Sequence, residues 1–260
     1  MKRILASIFL MAITTNNINA NWCCKQPMDT SFYLKVGSGV SFSESANVVA
    51  EPPTWNPAIQ GYNSKLGNRA IADFGIGLEL MKQIDLELSV STRSTFKYRK
   101  FQTPVGGGDS YTREFDLDVV PILFSVNLLG RNISCLNWDF ACGQIYPVIG
   151  AGVGVSHLFI TNYRTTGLLP TGDSFPFLSF SAENQYTHRK NFTYTVLFGL
   201  EYNYNDCWAI STGYRWFDAG KFKGPRFQRV ATGSAVDVGS EAWKMRFRAN
   251  EWFIELKLFL

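Results

Sequence analysis

The chain has 260 residues, of which 18% are charged and 15% aromatic, and a formal net charge of +4. An average soluble domain carries roughly 25% charged residues, so this composition leans toward β structure with a membrane-facing surface. The charge falls to +2 if Lys2 and Arg3 leave with an export leader, too little to argue for nucleic-acid binding.

Lys2 and Arg3 precede an apolar run over 4–13, a polar stretch over 14–19 and the small residue Ala20. This three-part layout is that of a secretory signal peptide, expected over 1–20. Asn21 and Trp22 separate Ala20 from Cys23, so no lipid anchor is expected. No later apolar run approaches the roughly 20 residues of a membrane helix. Residues 21–30 are read as a periplasmic N-terminal segment and 31–260 as an outer-membrane barrel whose crossings are strands.

Period-two alternation recurs along the chain. Phe32, Leu34, Val36, Val40 and Phe42 share one face over 32–42, opposite Lys35, Gly37 and Gly39. Over 70–80, Phe74, Ile76 and Leu78 alternate with Asp73, Gly75, Gly77 and Glu79. The third strand sets Ile84, Leu86, Leu88, Val90, Thr92, Ser94, Phe96 and Tyr98 against Asp85, Glu87, Arg93, Lys97 and Arg99. In the fourth, 114–128, the apolar parity switches from odd (Phe115, Leu117, Val119) to even (Ile122, Phe124, Val126), and Pro121 at the switch predicts a β-bulge. Strands over 146–156, 191–204, 207–217 and 252–260 complete an all-β reading: a transmembrane antiparallel up-and-down β-barrel of eight strands, or ten if 175–183 joins the wall.

The connections 81–83 and 205–206 are short, whereas 43–69, 100–113, 162–190 and 218–244 are long. Short turns at one end and long loops at the other is how outer-membrane barrels are organised, with 129–144 the exception on the short side. With the apolar face toward lipid, the glycines make room inside for Lys35, Asp73, Glu79, Arg93, Lys97, Glu201, Arg215 and Glu255 to pair. Trp138, Tyr146, Tyr202, Tyr204 and Trp208 at one end, and Phe96, Tyr98, Tyr194 and Trp216 at the other, read as interfacial girdles.

Little here suits chemistry. Cys23, Cys24, Cys135, Cys142 and Cys207 all fall at the turn end of this topology. An oxidising compartment favours disulfides, with Cys135 and Cys142 the best pair and Cys207 left for Cys23 or Cys24. No metal or cofactor is expected, because no histidine lies near those thiols. Of the two histidines, His157 follows Ser156, but strand neighbours point to opposite faces, which disfavours catalysis. Gly106, Gly107 and Gly108 lack the helix and lysine of a phosphate loop. The last long loop is basic, with Lys221, Lys223, Arg226 and Arg229 as candidate contacts for acidic glycans or for phosphate-bearing lipopolysaccharide.

The leader, the eight strands, the stretches 146–154 (YPVIGAGVG) and 213–216 (GYRW), and the terminal strand 252–260 resemble the OmpA-like and opacity-protein-like surface barrels of Gram-negative bacteria. That resemblance implies an outer-membrane location and a last strand read by the barrel-assembly machinery. The family usually ends in Phe, whereas here Phe259 is penultimate and Leu260 last. The function implied is a non-enzymatic scaffold for loops in adhesion or envelope integrity, with outer-membrane lipid, lipopolysaccharide and host-surface glycans or proteins as partners. A small solute or ion pore is the alternative, and a lipid hydrolase a distant one.

Overall fold

The computed structural model describes residues 30–44, 66–102, 110–140, 143–168, 174–182, 186–204, 206–224, 227–229, 235–237 and 244–260. The expected leader lies outside them. In chain order the strands are β1 (Thr30–Ser43), β2 (Asn68–Leu80), β3 (Ile84–Arg93), β4 (Phe96–Gln102), β5 (Ser110–Leu129), β6 (Trp138–Phe140), β7 (Gly143–Leu168), β8 (Ser174–Ala182), β9 (Tyr186–Tyr204), β10 (Trp208–Lys223), β11 (Phe227–Arg229), β12 (Ala235–Asp237) and β13 (Lys244–Phe259). Among the described residues, the one helical piece is a single 3-10 turn, Gly130–Asn132.

Eight walls close into an antiparallel barrel: β1, β2, β3 continued by β4, β5, β7, β9, β10 and β13, which returns to β1. At the seam Trp252 lies opposite Val40 and Leu258 opposite Leu34. The strand number is therefore eight. Segment 175–183 is not a wall, because β8 pairs with the far end of β7 and with β11 in a ribbon beyond the barrel. Short turns gather at one end, here the turn end. Met81 and Lys82 both take positive φ (51° and 55°) in the β2–β3 hairpin, the backbone twist that matches paired strands.

Alternation runs along the walls, broken between β3 and β4 and at the loop end of β10, and its meaning reverses part-way up. Along β13 the inward residues read Lys257, Glu255, Phe253 and Glu251, then Ala249, Phe247 and Met245. Its outward residues read Leu258, Ile254 and Trp252, then Asn250, Arg248, Arg246 and Lys244. β5 does the same. Asn127, Ser125, Leu123, Val119, Leu117 and Phe115 are all buried, so inward parity is odd throughout.

The bulge expected at Pro121 is thus absent from β5, whose register against β7 runs unbroken from Asp116 to Leu129. What changes there is the surroundings. The irregularity lies on the facing strand, where pairing stops at Val90–Ile122 and resumes at Phe96–Leu117, so that residues 91–95 oppose 118–121. Proline offers no N–H to that ladder, and the partner takes up the mismatch. The bulge also turns Phe96 and Tyr98 inward and Lys97 and Arg99 outward, opposite to the sequence reading.

On β1 the outward apolar run spans residues 32 to 42, ten residue steps. That is about 33 Å along the strand and about 25 Å along the axis at the usual tilt, the height of an outer-membrane apolar band.

Candidate functional site

The interior is built from odd positions of β1, β2, β3, β5, β9, β10 and β13 and even positions of β4 and β7. At the turn end Arg131, carried by the 3-10 turn, reaches Glu79 at 3.2 Å. Lys257 then bridges Asp85 and Glu201, both at 2.8 Å. Tyr33 donates to Asp85 at 2.5 Å, and Tyr146 and Ser211 donate to Glu201 at 2.9 and 2.7 Å. Gly77 permits this layer, because a Cβ there would meet the Tyr33 ring at 2.0 Å.

One level up, Lys35 sits among Glu87 (2.6 Å), Glu255 (3.2 Å) and Asp73 (3.5 Å). Arg215 spans Asp73 and Glu251 at 3.0 and 2.9 Å, while Arg93 reaches Glu251 at 2.7 Å and Ser41 donates to it at 3.0 Å. Isolated charges buried this way would each cost several kcal/mol, and these carboxylates each meet a cation. The cavity lined by Lys35, Glu87, Asn127, Glu201, Arg215 and Lys257 holds about 20 Å³, room for about one water.

Arg93 is also the boundary. Its guanidinium lies 4.1 Å from the centre of the Phe217 ring, and above Phe217 the filling is apolar. Phe217 meets Phe247, Phe247 meets Phe96, and Phe115 stacks on Tyr98 at 4.6 Å. Leu66, Leu117, Leu158, Ile160, Phe222 and Met245 complete this core.

Of the interior charges expected from sequence, Lys35, Asp73, Glu79, Arg93, Glu201, Arg215 and Glu255 are buried inside the barrel. Lys97 is not; it is exposed on the outer wall. Sequence reasoning left out Glu251, which shares the parity of Glu255 and Lys257, and Arg131, which no strand periodicity could place. Tyr146 is not in the girdle but inside, fully buried against Glu201, whereas Trp138, Tyr202, Tyr204 and Trp208 stay on the outer face near the turn end.

Cys135 is exposed and carries a free thiol, and the pairing expected for it with Cys142 falls on a residue outside the described ones. Cys142, Cys23 and Cys24 lie outside the described residues, and Cys207 is half-buried at the foot of β10. Ser156 points inward to Thr193 at 2.5 Å. His157 points outward, its Nδ1 2.9 Å from Nε2 of His188, so serine and histidine do not meet. Partial loss of solvent, His157 and Lys190 together hold His188 below the ordinary histidine value. Lys221 and Lys223 are exposed at the loop end of β10; Arg226 lies outside the described residues, and Arg229 belongs to β11.

At the turn end, outside the wall, Asp206 accepts from Arg131 and from Lys82, the latter at 3.1 Å. Burial pushes its pKa up, but the hydrogen bond and charge of Arg131, with help from Lys82, outweigh it and hold the carboxyl below its usual range.

No protein-family model matches the chain, and no curated protein matches it. Solved structures do. The outer membrane protein OprG from Pseudomonas aeruginosa superposes with a TM-score of 0.50 at 8% identity, covering 88% of this chain and 96% of that one. The outer membrane protease OmpT from Escherichia coli gives 0.49 at 10% identity over 92% and 100% of the two chains. Neisserial surface protein A gives 0.38 at 12% over 89% and 99%. Identities this low speak to fold alone: the chain has the fold of an outer-membrane β-barrel.

Proposed function

We propose that the chain is an integral outer-membrane surface protein whose barrel is a closed scaffold, its long connections acting outside the cell in adhesion or envelope integrity. The observation that carries this reading is the change of filling at Arg93 and Phe217. Among the described residues, ion pairs occupy the section below and an aromatic core occupies it above, a filling that supports a closed lumen over a continuous water path. A pore would need both halves to be wet. The outward apolar band, of hydrocarbon height, supports membrane insertion with the long connections on the far side. Export by the 1–20 leader and assembly through the β13 strand fit the same reading.

The test is planar-bilayer recording on the refolded full chain. Insertion without stepwise conductance is expected. Stable openings of uniform size would overturn the scaffold reading in favour of a pore.

A further inference from the structure

Beyond the apolar band the outer wall is not uniform. On β9, β10 and β13 the last band residues are Phe192, Trp216 and Trp252, and cations follow them outward: Lys190 on β9, Lys221 and Lys223 on β10, Arg248 and Arg246 on β13. Asp218, fully buried at the β10 bulge, gathers the two arginines. It accepts from Nε of Arg246 at 2.9 Å, from Nε of Arg248 at 3.0 Å, from the Tyr194 hydroxyl at 3.2 Å and from the Gly220 backbone N–H at 2.7 Å. Two guanidiniums are thereby held beside each other, each side chain still more than a third exposed. Guanidinium forks match phosphate oxygens in geometry and charge.

The opposite wall differs. There Lys97 and Arg99 on β4 face Asp116 and Glu114 on β5, with Arg99 at 2.8 Å from Glu114, and Asp118 adds a further acid. Among the side chains described on these two walls, cations outnumber acids only in the β9–β10–β13 sector.

We propose that this β9–β10–β13 sector binds the phosphate of an outer-leaflet lipid headgroup, a step that rests on the membrane orientation given above. Lipid fits better than a soluble anion because the patch continues the band without a gap. Trp216 packs edge-on to Tyr194 at 5.3 Å directly beneath the Asp218 cluster, and such aromatics sit at the level of headgroups. An acyl chain against Phe192 and Trp216 would carry its phosphate to Arg246 and Arg248.

The full chain is placed in phosphatidylcholine nanodiscs with bisphosphorylated lipid A, or with the same lipid after dephosphorylation, and bound lipid is counted by native mass spectrometry. Arg246→Gln with Arg248→Gln should weaken lipid A retention about tenfold, the effect of losing charge-assisted hydrogen bonds. Lys97→Gln with Arg99→Gln removes the same charge from the opposite wall and should leave retention unchanged. Dephosphorylated lipid A should bind no better to the native chain than lipid A binds to the arginine variant. Should that variant fail to fold, Lys221→Gln with Lys223→Gln, both exposed, should still weaken retention severalfold, and no change would overturn the proposal. Equal loss in the β4 and β13 variants would reduce the patch to general electrostatics and overturn it. So would equal binding of a soluble sulfated glycan through the same arginines. A chain that inserts without conductance yet ignores lipid A phosphate would sink this inference while leaving the scaffold reading in place.

Discussion

Below Arg93 the barrel is charged inside and apolar outside; above Phe217 the same walls are apolar inside and polar outside. Along β13 and β5 the backbone does not change between the two regions, since both run through with their alternation intact. What changes is the medium. Where lipid covers the wall, apolar side chains lose nothing by facing out, and the interior can hold polar groups provided they are paired. Where water covers it, the only dry place is inside, and the ordinary order of a soluble β domain returns. The two fillings join through a contact that belongs to both, a guanidinium lying on an aromatic face.

This contrast makes the two regions fragile for different reasons. The largest effect is expected in the charged half. Glu251 compensates both Arg93 and Arg215, so Glu251→Gln strands buried cations and should cost about 3 to 5 kcal/mol. Urea titration of the refolded barrel in lipid vesicles measures it. A loss below about 1 kcal/mol would mean that water reaches these groups freely, which is outside the range expected for a broken buried pair.

The outer face gives the next test, and it reads the boundary directly. Leu88 is half-exposed within the outward apolar band, whereas Thr161 occupies an outward position of β7 beyond it. Leu88→Arg should destabilise by about 2 to 4 kcal/mol, as arginine does near a bilayer midplane. Thr161→Arg should stay within about 0.5 kcal/mol, as for an ordinary surface change. The same vesicle refolding assay serves both. Similar costs at the two positions would erase the distinction between a lipid-covered and a water-covered wall.

Much of this was legible in the sequence, because period two survives any change of surroundings. It placed the strands and seven of the eight interior charges named from it. It misleads at Pro121 and along β3 and β4, because an apolar residue faces lipid only within the band and faces inward beyond it. Phe96 and Tyr98 carry the same residue types as a girdle, and only the bulge over 91–95, which no residue type announces, turns them into the core. Arg131 was invisible for another reason: its place comes from a 3-10 turn folding back under the barrel, and its partners Glu79 and Asp206 are distant in sequence.

That turn supplies the smallest effect and the limit of the comparison, an ion pair of the interior kind moved to the rim. Asp206 carries a side chain 32% exposed, against essentially none for Glu251. Solvent screens it, so its contact with Arg131 and Lys82 is worth about 1 kcal/mol or less. Its carboxyl is held below the usual range when folded, and an unfolded aspartate titrates near about 3.9. The stabilisation is therefore present above about pH 4 and is lost as pH falls through the lower folded value. Asp206→Asn should shift the urea midpoint slightly at pH 7 and not at a pH below both values, so the native and variant curves should converge in acid. Convergence isolates this one carboxyl, the group in which the two chains differ. A gap that stayed constant down to strong acid would show that Asp206 acts by shape or hydrogen bonding alone, and that charge at the rim counts for nothing next to charge in the lumen.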